Sequence, residues 1–200
     1  LIRIDTTNPP GNETLAALYL EEILQKEGLQ PTLVESEPGR GNVLARLAGG
    51  GEKTLMLLGH TDVVAVEPEH WTHPPFSGAL IDDYVWGRGA LDMKNMVAAN
   101  LMVILLLKRQ EVSLARDIVF AATADEEAGK GNHGPGWILD HRPELWDAPL
   151  IITEGGGSDF SVGDQRFYTC QTGQKGLCRL RVIASGTPGH GSMPHGNNAI

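Results

Sequence analysis

Residues able to bind a metal or move a proton follow directly on apolar runs that read as buried strands. Leu55–Gly59 leads into His60-Thr61-Asp62, Ile118–Thr123 into Asp125-Glu126-Glu127, and Leu150–Thr153 into Glu154. A further acid, Asp92, lies in Gly87-Arg88-Gly89-Ala90-Leu91-Asp92-Met93-Lys94, where a long helix is predicted to begin. In open α/β sheets, sites form outside the carboxyl ends of the strands. Carboxylates gathered there would raise one another's pKa unless a cation offsets them. One or two divalent ions are the simplest compensation. Histidine plus carboxylates suits zinc, with cobalt or manganese as alternatives.

The spacing assigns distinct jobs. In His60-Thr61-Asp62, residues two apart on an extended segment face the same way, so Asp62 can take the second ring N–H and orient His60 for a metal. Glu126 and Glu127 are adjacent and on extended backbone would point to opposite sides, one free to ligate and the other to act as a general base. Asp92 could bridge two ions with its two oxygens. Taken singly, each has a plainer explanation: a loop pair for His60 and Asp62, a solvated loop for Glu126-Glu127, a turn residue for Glu154, a helix N-cap for Asp92. Their joint placement at the ends of successive buried elements favours a site.

Gly129-Lys130-Gly131-Asn132-His133-Gly134 matches a dinucleotide fingerprint, with an acid, Glu154, farther on. The first glycine does not follow the strand directly, and Asp125, Glu126 and Glu127 would repel a pyrophosphate. A nucleotide role is therefore rejected.

The elements that must hold these residues alternate. Asn8-Pro9-Pro10-Gly11-Asn12 is a turn whose Asn12 can cap a helix running to the glycine stop at Gly28. Strands are predicted at Pro31–Ser36, Asn42–Leu47, Lys53–Gly59, near Ala79–Trp86, at Asp117–Thr123 and at Leu150–Ile152, the last buried. Helices are predicted at about Met93–Lys108 and near Gly136–His141. This order predicts an α/β fold, a three-layer αβα sandwich with a mostly parallel sheet. From Arg166 the character changes, and Gln174–Ala184 alternates like an antiparallel strand with one wet face. A domain boundary is placed near Gly173, giving residues 1–173 as a catalytic metal-binding domain and 174–200 as the start of another.

Composition limits the alternatives. The 200 residues carry 16 Lys+Arg against 25 Asp+Glu, a formal charge of −9, which argues against a nucleic-acid binder. With 41% hydrophobic and 20% charged residues the chain is globular. The 25 glycines are expected in tight turns. Cys170 and Cys178 make neither a disulfide framework nor a CxxC, and read as small buried side chains. The longest apolar run, Val97–Leu107, is broken only by Asn100 and falls short of the ~20 residues a bilayer needs, so it reads as a buried helix with no membrane role. Both ends look cut: no Met begins the chain, and the last residues look like a helix being started. The expectation is a piece of a longer protein, in which missing targeting signals mean nothing.

Together, His60-Thr61-Asp62-Val63-Val64, Trp71, Pro75-Phe76-Ser77-Gly78, Gly87–Lys94, Asp125-Glu126-Glu127 and Glu154-Gly155-Gly156 resemble the M20 metallopeptidases, in order and over nearly the whole chain. That family includes acetylornithine deacetylase, succinyl-diaminopimelate desuccinylase, aminoacylase-1 and carboxypeptidases. The resemblance implies that His60 and Glu154 bind one metal, Glu127 the second, and that Asp92 bridges both. It implies Glu126 as the base that deprotonates a metal-bridging water, Asp62 as the residue that orients His60, and a cis peptide between Asp92 and Met93. Gly186–His195 resembles the start of the family's inserted α+β lid or dimerisation domain. His190 would there stabilise the oxyanion, often from a partner subunit, with His195 as an accessory. A fifth ligand, a histidine near the family's C-terminus, has no counterpart here, since His70, His73, His133 and His141 lie in the wrong segments.

The implied activity is hydrolysis of an amide bond in an N-acyl amino acid or small peptide, using two divalent ions, in a cytoplasmic homodimer joined through the lid. The competing readings are an aminopeptidase with a related metal core, against which the alternating strand speaks, and a non-catalytic metal- or peptide-binding relative, against which the pair Glu126 and Glu127 speaks.

Overall fold

A computed structural model describes residues 1–128, 133–155, 157–173, 176, 180–190, 192–193, 195–197 and 199. The chain divides into two compact units, Leu1–Gly156 and Gly157–Ile200.

The first unit opens on α1 (Glu13–Lys26), which buries Ala16, Ala17, Leu20 and Leu24. Asn12 stands at the N-cap, but its side chain makes no capping bond. The Thr14 N–H is met instead by the Gly39 carbonyl at 3.0 Å. The expected stop is present: Gly28 has φ +73, and the N–H groups of Gly28 and Leu29 return to Gln25 and Leu24.

Five strands follow in one sheet: β1 (Pro31–Glu35), β2 (Gly41–Leu47), β3 (Glu52–His60), then, beyond the hairpin described below, β6 (Arg116–Thr123) and β7 (Leu150–Ile152), in the order β1-β2-β6-β3-β7. The sheet is mixed. β6, β3 and β7 run parallel, whereas β2 joins β6 and β1 in antiparallel pairs. Residues alternate between its faces. Val43, Ala45, Phe120 and Ala122 pack under α1 and α2 (Lys94–Arg109), and Leu44, Met56, Val119 and Ala121 pack against Ile138 of α3 (Pro135–His141). Helices thus cover both faces, the expected three-layer α/β arrangement.

Three local expectations change. The stretch near Ala79–Trp86 is a hairpin, β4 (Ala79–Ile81) and β5 (Tyr84–Trp86), because Asp82 and Asp83 take φ of 50 and 63 and reverse the chain. Leu150, Ile151 and Ile152 are 40%, 43% and 50% exposed rather than buried; among the described residues β7 pairs with β3 alone and stands at the sheet edge. The helix α2 buries one face only; Met102, Val103 and Leu106 are exposed. Among the described residues, no helix is long and apolar enough to cross a membrane.

Close approach between α2 and the sheet requires Gly59, where a Cβ would fall 2.8 Å from Val97 Cγ2. The Asp92–Met93 peptide just before α2 is cis, as the resemblance implied.

The second unit contains the hairpin β8 (Asp159–Val162) and β9 (Gln165–Tyr168), with Phe160 stacked on Phe167. Within the alternating stretch Gln174–Ala184, residues 174, 175 and 177–179 lie outside the described residues, and the described ones form no strand. Cys170 is exposed rather than buried, and Cys178 lies outside the described residues.

Candidate metal centre

Parallel register places the site. His60 is level with Thr123, and Leu57 with Ile152, so β3, β6 and β7 deliver His60, the segment after Thr123 and Glu154 to one edge of the sheet. Asp92, just ahead of α2, reaches the same edge. Met93, not Asp92, occupies the helix N-cap, so the capping explanation for Asp92 fails. His60 Nε2 lies 3.1 Å from Asp92 Oδ1, 3.1 Å from Glu154 Oε1 and 3.9 Å from Glu126 Oε2. One donor atom from each of His60, Asp92 and Glu154 lies within 4.8 Å of the others. Ligands held ~2 Å from a tetrahedral ion stand roughly 3.3 Å apart, so this donor set fits a divalent cation.

Behind the ring, Asp62 is fully buried. Its carbonyl oxygen lies 3.0 Å and its carboxylate Oδ1 3.3 Å from His60 Nδ1. The same carboxylate accepts the N–H of Glu126 at 3.1 Å and that of Glu127 at 3.0 Å. The two glutamates therefore sit on a bend, not on the extended backbone expected, because Asp125 takes φ +62. Glu126 is 57% exposed at its side chain, and Glu127 is partly buried.

The charges respond to this crowding. Burial would depress the His60 imidazolium, but Asp62, Glu154 and Glu126 outweigh it and push it up to about 9. Burial likewise opposes ionisation of Asp62, yet hydrogen bonds from His60 and Asn8 hold its carboxyl below the usual range. The carboxyls of Glu127 and Glu154 are raised, by burial first and by the charge of Asp92. A site that lifts its own carboxylates is one that a cation would relieve.

Of the residues singled out in the sequence, the structure brings together His60, Asp62, Asp92, Glu126 and Glu154, and sets Glu127 within the field of Asp92. His190 belongs to the second unit, where it is exposed and its Nδ1 lies 2.7 Å from Ser192 Oγ. The glycine-rich residues 129–132 lie outside the described residues. Sequence reasoning missed Asn8, Glu13 and Arg40, which are buried behind the loop that carries Glu126 and Glu127. The Asn8-Pro9-Pro10 turn was a visible signal; nothing local marks Arg40.

The model of peptidase family M20/M25/M40 matches residues 56–184, a span holding every residue of this cluster. The chain belongs to peptidase family M20. This M20 chain is 35% identical over 199 residues to the succinyl-diaminopimelate desuccinylase of Paracoccus denitrificans, covering 98% of the chain and 50% of that protein. It is 34% identical over 198 residues to aminoacylase-1 of Sus scrofa, covering 96% of the chain and 46% of that protein. The chain thus spans about half the length of these curated relatives. Among solved structures, the M20 family metallo-carboxypeptidase Sso-CP2 from Sulfolobus solfataricus superposes with a TM-score of 0.65 at 27% identity, over 78% of this chain and 36% of that one. Human carnosine dipeptidase 1 shares the fold, with a TM-score of 0.61 at 22% identity over 76% and 36% of the two chains.

Proposed function

We propose that this chain forms the metal-binding part of an amidohydrolase that cleaves an N-acyl amino acid or a small peptide. The observation that carries this reading is the convergence of His60, Asp92 and Glu154 at one sheet edge, with Glu126 3.9 Å from the imidazole. His60 and Glu154 would hold one divalent ion, Glu127 a second, and Asp92 would bridge them. When bound, zinc (or cobalt or manganese) would lower the pKa of water toward ~7 and polarise the scissile carbonyl.

The chain's own groups divide the remaining work. Asp62 fixes the ring so that Nε2 faces Asp92 and Glu154. Glu126, whose exposed carboxylate stands 3.9 Å from the ring, accepts a proton from the attacking water and returns it to the departing amine. His190 is assigned to the oxyanion on its sequence motif. Residues 174–200 are read as the start of the lid through which a homodimer would form. The amide chemistry of the relatives, a desuccinylase and an aminoacylase, supports the substrate class.

The test is a panel of N-acetyl and N-succinyl amino acids, dipeptides and free-amine aminoacyl substrates, assayed with zinc, cobalt and manganese. Hydrolysis of acyl or peptide bonds with a free carboxylate, lost on chelation and restored by metal, is expected. Metal-loaded protein inert toward the whole panel would overturn the reading, and cleavage confined to free-amine substrates would favour an aminopeptidase.

A further inference from the structure

Three buried side chains outside the metal cluster meet on the residue that launches the catalytic loop. Asp125 takes a positive φ, a backbone state rare outside glycine and sustained only where the surroundings hold it. Asn8 Nδ2 donates to Asp125 Oδ1 at 3.0 Å and to Asp62 Oδ2 at 2.8 Å, so one amide spans both carboxylates. Arg40 donates to Asp125 Oδ1 at 3.1 Å and grips Glu13 through two bonds of 2.8 Å. Glu13 in turn accepts the Asp125 N–H at 3.3 Å. Asn8 is itself delivered by backbone pairing, its N–H meeting the Val63 carbonyl at 2.9 Å while Val63 N–H meets Thr6.

We propose that Asn8 and Arg40 are positioning residues for the reaction: they lock Asp125, and through it aim the N–H groups of Glu126 and Glu127 at Asp62. The consequence is that the carboxylate orienting His60 also sets the direction of both glutamates. Base and ligands then move as one unit rather than as separate loops. Arg40 also sets a cation against the buried carboxylates of Glu13 and Asp125, which it holds together. The inference rests on the amidohydrolase reading for its effect on turnover, but its structural content does not.

The test is hydrogen exchange at individual amides of metal-free protein, paired with kinetics of the intact metal-loaded protein, for Asn8→Ala and Arg40→Lys. The expected result is exchange at Glu126 and Glu127 at least tenfold faster, with Phe120 and Ala121 in β6 unchanged. In the loaded enzyme kcat falls at least tenfold while KM moves less than threefold. Faster exchange spread evenly over β6 and the loop would overturn the proposal in favour of a merely structural role. So would unchanged exchange at Glu126 and Glu127. Where Asn8→Ala does not yield folded protein, Arg40→Lys, which keeps a charge in place, decides by the same readings. An inactive wild type with locally loosened variants would refute the hydrolase reading while upholding the lock.

Discussion

His60 and Asp62 are joined twice, the ring Nδ1 lying 3.0 Å from the Asp62 carbonyl oxygen and 3.3 Å from its carboxylate. The carboxylate is simultaneously the acceptor for Asn8, Glu126 N–H and Glu127 N–H. A residue that needs only to orient a ring could be replaced gently. Asp62 cannot, because several buried donors depend on it.

Asp62→Asn keeps the shape but turns an NH2 toward groups that already donate. Leaving one or two buried donors unmet destabilises by about 2–5 kcal/mol. Chemical denaturation of the metal-free protein reads this loss. Metal affinity should fall roughly 10–100-fold, as for other partners of ligating histidines. A variant as stable as wild type with full affinity would show that Asp62 is not the shared acceptor.

Metal uptake should release protons. The His60 imidazolium is held at about 9 against an ordinary 6.5, so its proton stabilises the metal-free fold fully below about 6.5 and ceases to do so as pH rises through about 9. A cation needs the neutral ring, and so competes with that proton. Affinity for cobalt or zinc should therefore climb by up to about tenfold per pH unit across this window. Calorimetry in buffers of different ionisation enthalpy measures the release; a flat profile would contradict it.

A Cβ at Gly134 would lie 2.0 Å from the Ala124 carbonyl oxygen. Backbone cannot yield as a side chain can. Gly134→Ala should cost about 3 kcal/mol, whereas Gly51→Ala, with nothing within 4 Å, should be neutral within about 0.5 kcal/mol. Urea midpoints of the two variants compare them directly.

Much of this was legible in sequence because it is local. Apolar β3 and β6 end in acids or imidazole, and register between parallel neighbours then brings those ends level. The glycine stop at Gly28 and the long helix after Asp92 are likewise short-range signals. What could not be read is long-range. Asn8 meets residues 54 and 117 positions away, and Arg40 meets one 85 positions away, through contacts that no window along the chain contains. The bend at Asp125 follows from those contacts, which is why an extended Glu126-Glu127 pair was expected.

Whether Glu126 moves the proton while its neighbours hold the metal is decided by Glu126→Gln in the intact protein, with metal content and turnover measured on the same sample. Unchanged metal content and turnover lower by about 10²–10⁴-fold are expected. Turnover within tenfold of wild type, at full metal content, would contradict it.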